Sequence, residues 1–394
     1  MTITLVLSSP PGYSETFFNS KIKGLQENGH KVILVTASTQ QQYEACIHVQ
    51  HPKVYRNPLK QVVAMLLTYL GLLPYFKRIL RYIRLEREQG TSLKRLAEKL
   101  YLNATLLKLT TDWLHFGFAT MALERELLAD AIHAKMAVSF RGYDIGVYPL
   151  KHPGCYKLLW SKLDKVHYIS DDLYAKAIEL GLPSSIPHQK ITPAIDTGFF
   201  DAKSLDESLN DHEIDDVLHI CTIGRLHWKK GYVETLKALQ IVKKQGVNFK
   251  YHIIGDGDEY ERIAFAAYQF DLTEDVIFEG KVEHQQVKDI MVKCKIYLQY
   301  SIQEGFCNAV LEAQAMGKLC IVSDAEGLSE NVLDNKTGWV VPKLNPEALA
   351  QKIQDVIHLS NDVKKDISKK AVRRVQQEFN LEKQKRMFNE FYNK

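Results

Sequence analysis

The sequence predicts two doubly wound α/β domains joined by a polar linker. Three observations carry this. The chain has 394 residues, a length that favours two domains over one. Its start alternates strand and helix: Thr2 to Ser8 is apolar, Pro10-Pro11-Gly12-Tyr13 is a loop, a helix capped by Ser14 runs to about Asn28, and Lys31 to Ala37 is a second strand. The same pattern recurs late in the chain. Ile296 to Tyr300 reads as a buried strand, Ala309 to Met316 as a helix with Asn308 as N-cap and Gly317 as stop, and Leu319 to Val322 as the next strand.

Between these ends the alternation continues. Strands are expected at Met136–Phe140, Lys165–Ser170 and Lys190–Ala194, with a helix over Asp171–Leu180. The stretch from Asp201 to Asp216 is polar and acidic and reads as the linker. Strands at Leu218–Ile223, Phe249–Ile254 and Val276–Gly280 open the second domain. The first domain spans 1–200, the second 217–378, and a terminal segment 379–394 follows.

One segment interrupts the pattern. Residues 53–110 read as helical and basic. Val62 to Phe76 is apolar but broken by Gly71 and Pro74, and is shorter than the roughly 20 residues a spanning helix needs. Phe76, Ile79, Leu80 and Ile83 then fall on one helical face, with Arg78, Arg81 and Arg84 expected outward. A second helix after Ser92 puts Leu93, Leu96 and Leu100 inside and Lys94, Arg95 and Lys99 outside. Two readings stand: peripheral contact with an anionic membrane, or a helical pair with a solvated basic face.

Composition narrows the function classes. Hydrophobic and charged fractions of 45% and 25% are those of a globular protein. The six cysteines form no C-x-x-C pair and no metal-like His/Cys spacing, so a reducing compartment is expected. The N-terminus lacks a basic leader and reads as a strand, which gives a cytoplasmic expectation. Residues 1–200 hold 24 Lys+Arg against 16 Asp+Glu, and the remainder 27 against 31, so a basic half precedes an acidic one. No dinucleotide fingerprint follows the first strand.

The chemistry concentrates in Glu304-Gly305-Phe306-Cys307-Asn308, the loop after a buried strand, where open parallel sheets bind ligands. Gly305 allows close backbone approach. The amides of Ala309, Val310 and Leu311 open a helix and suit a phosphate. Glu304 and Glu312 frame the loop. An acid repels phosphate, so these two suit neutral hydroxyls of a sugar or ribose. Taken singly, Glu304 also fits a solvated loop acid and Glu312 a complement to the helix dipole. Gly224-Arg225-Leu226-His227-Trp228-Lys229-Lys230-Gly231, at the end of another strand, offers cations and glycines for a diphosphate.

The run E-G-F-C-N-A-V-L-E-A-Q-A-M-G resembles the signature of glycosyltransferase family 4, whose members are retaining, GT-B-fold, nucleotide-sugar-dependent transferases. The resemblance implies two Rossmann-like domains facing a cleft, with Leu381 to Tyr392 crossing back to the first domain. It implies that Glu304 holds hydroxyls of the donor sugar and Glu312 the ribose. It assigns the diphosphate to Arg225 and Lys230 in a G-R-L-x-x-x-K-G pattern that begins at Gly224. Arg225, Lys230 and Glu304 are the implied catalytic residues. The donor would also meet Gly12, Gly280, Val282, Gly305, Phe306, Cys307, Asn308, Ala309 and Val310. In the first domain, Ser14, His115, Arg141 and Asp144 are implied to line the cleft. Arg141 stands where many members carry His, and Arg is not a general base at neutral pH. Pro193-Ala194-Ile195-Asp196 resembles the family's N-G-V-D turn.

The expected function is retaining transfer of a hexose-type sugar from a UDP- or GDP-sugar to a saccharide or lipid-linked saccharide, as in surface polysaccharide synthesis. No cofactor and no metal are expected. Asp256-Gly257-Asp258 is a D-x-D triplet, which metal-dependent transferases use, but here it resembles the turn into the next helix. Two alternatives remain: a sugar-nucleotide epimerase of the same architecture, and a non-catalytic sugar-nucleotide-binding protein. Of the two readings of the basic insert, the membrane one implies peripheral contact with the cytoplasmic face of the inner membrane.

Overall fold

The computed structural model describes residues 1–12, 16–39, 41–201 and 217–393. The helix cap expected at Ser14 and the linker over 202–216 lie outside the described residues. The chain forms two compact units: 1–191 with 384–394, and 192–383.

The first unit is built on a seven-stranded sheet in the order β3-β2-β1-β4-β5-β6-β7. The strands are β1 (Thr2–Val6), β2 (Lys31–Thr36), β3 (Ile47–Gln50), β4 (Trp113–Phe116), β5 (Lys135–Phe140), β6 (Lys165–Tyr168) and β7 (His188–Lys190). Every pairing is parallel. Parallel strands covered on both faces read as continuous apolar runs, and β1, β2 and β5 have four or five buried residues in succession. Helix α1 (Thr16–Glu27) covers one face through Phe17, Phe18, Ile22 and Leu25. The terminal helix Leu381–Asn393 sends Phe388, Phe391 and Tyr392 into the same core.

The insert between β3 and β4 is helical as expected: α2 (Pro58–Leu70), α3 (Phe76–Glu88) and α4 (Leu93–Leu102). Asn57 and Ser92 cap α2 and α4 by accepting from the amides of Lys60 and Arg95. The rotation of α3 differs from the expectation. Tyr82 and Glu86 face inward, while Phe76 and Leu80 are exposed. A buried ion pair sets this: Lys99 Nζ lies 2.8 Å from Glu86 Oε2, with both side chains largely out of water. Lys99 is therefore inside and Leu93 outside, the reverse of the sequence reading. Arg78 and Arg81 are not outward either. Arg78 donates to the carbonyl of Leu109 at 2.6 Å and to Thr110, and Arg81 donates to the carbonyl of Ala131 at 2.9 Å. Arg84 is outward, paired with Glu88.

The second unit holds a six-stranded parallel sheet, β10-β9-β8-β11-β12-β13. Its strands are β8 (Leu218–Ile223), β9 (Phe249–Ile254), β10 (Val276–Gly280), β11 (Ile296–Gln299), β12 (Leu319–Ser323) and β13 (Trp339–Val341). The unit begins at 192, earlier than the expected boundary near 200. The amide of Ile195 donates to the carbonyl of Phe379, and Ile195 bridges Asn380, so this turn pairs with the end of the second unit rather than extending the first sheet. The strand expected over Lys190–Ala194 accordingly stops at Lys190.

Candidate functional site

In the second sheet β8 leads to β9 on one side, while β11, its neighbour on the other side, leads to β12. Strand order reverses between β8 and β11, so the loops after them diverge and leave a crevice at their carboxyl ends. Those loops carry the two motifs. Gly231 has φ of +64°, and a Cβ there would stand 2.1 Å from the carbonyl oxygen of Tyr300. Glycine lets the loops touch. The carbonyl of Lys229 then accepts from the amides of Ile302 (2.7 Å) and Gln303 (3.2 Å), which stitches one motif to the other.

This stitching brings Lys230 and Glu304 together as an ion pair, both side chains less than one-fifth exposed. Burial by itself lowers the Lys230 pKa. The Glu304 carboxylate more than offsets it and holds the ammonium above the ordinary lysine value. Ser301 Oγ lies 3.4 Å from Glu304 Oε2. The amide of Glu304 donates to Glu326 Oε2 at 3.0 Å, and Lys343 pairs with the other oxygen of Glu326. Arg225 is exposed, and its guanidinium has no protein partner among the described residues. Gly224 accepts the Tyr232 hydroxyl at 2.9 Å, which fixes the turn that presents Arg225.

The following helix spans Asn308–Ala315. Cys307, not Asn308, is its N-cap, with extended backbone and no side-chain capping bond. The reason is Asn331. Its side chain accepts from the Cys307 amide at 3.1 Å and donates to the Cys307 carbonyl at 3.0 Å, holding that residue extended. Gly317 ends the helix as expected, with φ of +70° and Lys318 N donating to the Ala313 carbonyl. The side chains of Phe306, Cys307 and Val310 are buried, with Phe306 against Phe379. Only their backbone is available to a ligand. Asn308, Ala309 and Gly305 are partly exposed, and the first-turn amides have no intrahelical partner by helix geometry. Glu312 lies one turn further along, partly exposed on the helix, and loss of hydration pushes its carboxyl up to about 7.

Other predicted donor contacts fall on the same sheet. Gly280 has φ of +69° with open space where a Cβ would be, and its carbonyl accepts from Gly255 at 2.8 Å. Val282 is partly exposed two residues on. Asp256 caps its own turn by accepting from Gly257 at 2.8 Å. Gly257 packs on the Leu226 backbone, where a Cβ would stand 2.4 Å from its carbonyl oxygen. The D-x-D triplet is thus a turn that supports the Arg225 loop.

The first unit corrects the sequence reading at two residues. His115 was expected at a cleft surface but is fully buried on β4. Its ring meets Ser139 Oγ at 2.8 Å and the Tyr392 hydroxyl at 2.6 Å, with Lys21 Nζ 3.3 Å away. Burial, then the nearby Lys21 charge, holds His115 well below its usual pKa. Asp144 is also fully buried. It accepts from the amides of Ala119, Arg141 and Gly142, each at 3.0 Å, so it shapes the loop rather than meeting a ligand. Burial raises its pKa, partly countered by those amides. Arg141 is partly buried, its guanidinium carbon 3.8 Å from the centroid of Phe17 and 4.4 Å from that of Phe18. Gly12 follows β1 at the reversal between β1 and β4, and a Cβ there would meet nothing within 4 Å. Ser14 lies outside the described residues.

Asn331, Glu326 and Lys343 escape sequence reasoning. They act on the Glu304–Cys307 loop from a short 3-10 helix and turns about 20 or more residues away, and no local spacing marks them.

Residues 206–374 match the family model for group 1 glycosyl transferases. The chain is 29% identical over 279 residues to the putative colanic acid biosynthesis glycosyltransferase WcaL of Escherichia coli, covering 68% of this chain and 66% of that protein. It is 28% identical over 247 residues to the amylovoran biosynthesis glycosyltransferase AmsK of Erwinia amylovora, covering 60% and 58%. The matches thus span less than two thirds of these relatives' own length. Among solved structures, a glycosyltransferase from Rickettsia africae superposes with a TM-score of 0.70 at 20% identity, over 100% of this chain and 97% of that one. Anabaena Alr3699/HepE in complex with UDP superposes with a TM-score of 0.74 at 14% identity, over 100% and 99%. The chain therefore has the GT-B fold, its second unit matches the group 1 glycosyl transferases, and it resembles bacterial glycosyltransferases of surface-polysaccharide synthesis.

Proposed function

We propose that this protein transfers a hexose-type sugar, with retention, from a UDP- or GDP-sugar to a saccharide or lipid-linked saccharide in surface-polysaccharide synthesis. The observation that carries the reading is the Lys230–Glu304 pair at the strand reversal of the second sheet, beside an Arg225 with no protein partner among the described residues. The diphosphate lies against Arg225, Lys230 and the first-turn amides of the helix Asn308–Ala315. Glu304 accepts from sugar hydroxyls and Glu312 from the ribose.

As the glycosidic C–O bond breaks, its electron pair stays on the departing phosphate oxygen. Arg225, Lys230 and the amides are fixed in place before that charge appears, and each such donor contributes about 3–4 kcal/mol in comparable sites. The acceptor hydroxyl attacks on the face the phosphate leaves and passes its proton to the departing oxygen. Glu304 is already held by Lys230 and its own loop, so it positions the sugar and forms no covalent bond to it. No divalent ion is required, because the charge is met by side chains and backbone. UDP is the first nucleotide to test, since HepE, of similar fold, is described in complex with UDP and UDP-glucose.

The acceptor is met at the cytoplasmic face of an anionic membrane, which the protein contacts peripherally. Incubation with a panel of labelled sugar nucleotides tests the reading. Transfer or slow hydrolysis of one donor supports it. Epimerisation of the donor, or binding with neither reaction, overturns it.

A further inference from the structure

Helix α2 is amphipathic the wrong way round for a core helix. Its apolar residues Leu59, Val62, Val63, Leu66, Leu67 and Leu70 recur at helical spacing along one stripe, and that stripe faces solvent, each residue more than half exposed. No residue of α2 is buried. The face turned to the protein is the less apolar one: Tyr69 donates to the Ala97 carbonyl at 2.8 Å, and Thr68, Ala64 and Gln61 are partly covered. After a bend of 50°, Leu73, Phe76 and Leu80 continue the exposed apolar surface. A contiguous patch of this kind marks an interaction site.

Charge identifies the occupant. From Glu44 to Glu86 the chain holds no acid between those two residues and seven cations. Lys53, Arg56, Lys60, Lys77 and Arg84 are exposed around the stripe. A second copy of the chain would bring the same cations face to face and repel. An anionic lipid surface complements both features, and an apolar stripe rimmed by cations is the pattern of a helix that lies in the headgroup boundary. Among the described residues no single helix is long and apolar enough to cross a membrane; Pro58–Leu70 and Leu73–Glu88 reach that length and composition only taken together, across the 50° bend.

We propose that the α2 stripe, continued by Leu73, Phe76 and Leu80, inserts shallowly into an anionic bilayer leaflet while the rim cations engage headgroup phosphates. This rests on the membrane contact proposed above and changes its nature. Arg78 and Arg81 are spent on backbone carbonyls of the protein itself, so the binding is by apolar insertion and not by a basic face of α3. Such binding resists salt, because screening weakens only the charged part.

The test uses the full chain and vesicles of phosphatidylcholine with or without phosphatidylglycerol. Wild type is expected to co-sediment with the phosphatidylglycerol vesicles and to stay largely bound at high salt. Leu66→Gln/Leu67→Gln is expected to lower the partition coefficient about tenfold or more, since each leucine loses its burial in lipid. Both positions are exposed, so the melting temperature and its shift with nucleotide should be unchanged, which separates lost insertion from lost folding. If wild type binds but the double leucine variant binds equally, the insertion is wrong while the membrane contact stands. If wild type ignores both vesicles, both fall, and donor binding is untouched. If wild type is a dimer without lipid that the leucine variant breaks, the stripe is a self-association surface and the proposal is overturned.

Discussion

Replacing Glu312 with Gln should stabilise the folded protein at alkaline pH and weaken nucleotide-sugar binding at the same time. The carboxyl rises from 4.5 to about 7 because the helix position strips it of water. At 1.36 kcal/mol per unit, that shift corresponds to about 3 kcal/mol, which partial exposure reduces to roughly 1–2 kcal/mol. The sign follows from linkage. A raised folded pKa contributes stability that is fully present below the unfolded value of 4.5 and is lost as pH rises through about 7. The gain from Glu312→Gln should therefore be near zero around pH 4.5 and reach its plateau above pH 7. Thermal melts from pH 5 to 8.5 read this directly. The binding side has its own signature. Ribose hydroxyls donate best to the ionised carboxylate, so wild-type affinity should fall up to about tenfold per pH unit below 7, and the variant should be flat. A nucleotide sugar suits this assay because its diphosphate diester does not titrate in that range. A stability gain over wild type no larger at pH 8.5 than at pH 5, together with wild-type affinity, would refute both the burial argument and the ribose assignment.

Gly231→Ala should destabilise by about 2 kcal/mol or more, from a left-handed backbone and a Cβ driven toward the carbonyl of Tyr300. Denaturant titration reads the loss, and unchanged stability would mean that the two motif loops are not stitched as described. If the proposed site of cations and amides holds the diphosphate, turnover should survive EDTA. Activity lost to EDTA and restored by Mn²⁺ would shift the chemistry to Asp256 and Asp258.

Much of this architecture is legible in the sequence because parallel strands are apolar on both faces. Runs such as Leu218–Ile223 and Phe249–Ile254 coincide with their observed strands. The second-unit motifs are legible for a related reason. Gly231, Lys230 and Glu304 are fixed by short loops at strand ends, where residue type and backbone conformation are tightly coupled. Tertiary charge pairing is not legible in this way. Lys99 turns inward because Glu86, thirteen residues earlier, is buried opposite it, and this rotates α3 away from its apolar moment. Arg78 and Arg81 look like solvated cations until the carbonyls of Leu109 and Ala131 are seen beside them. His115 fails for the same reason. Its partners Tyr392 and Lys21 come from opposite ends of the first unit's chain. The apolar stripe of α2 is visible as a periodicity, but periodicity does not say which side faces water.

The central claim is that Arg225 and Lys230 meet the donor diphosphate and its developing charge. The direct measurement is single-turnover transfer or hydrolysis of the preferred labelled sugar nucleotide by wild type, Arg225→Ala and Lys230→Ala, with nucleotide affinity measured on the same samples. The account predicts that each variant loses roughly 100-fold or more in rate and also binds nucleotide more weakly. Near-normal rates in both would contradict it and place the diphosphate elsewhere.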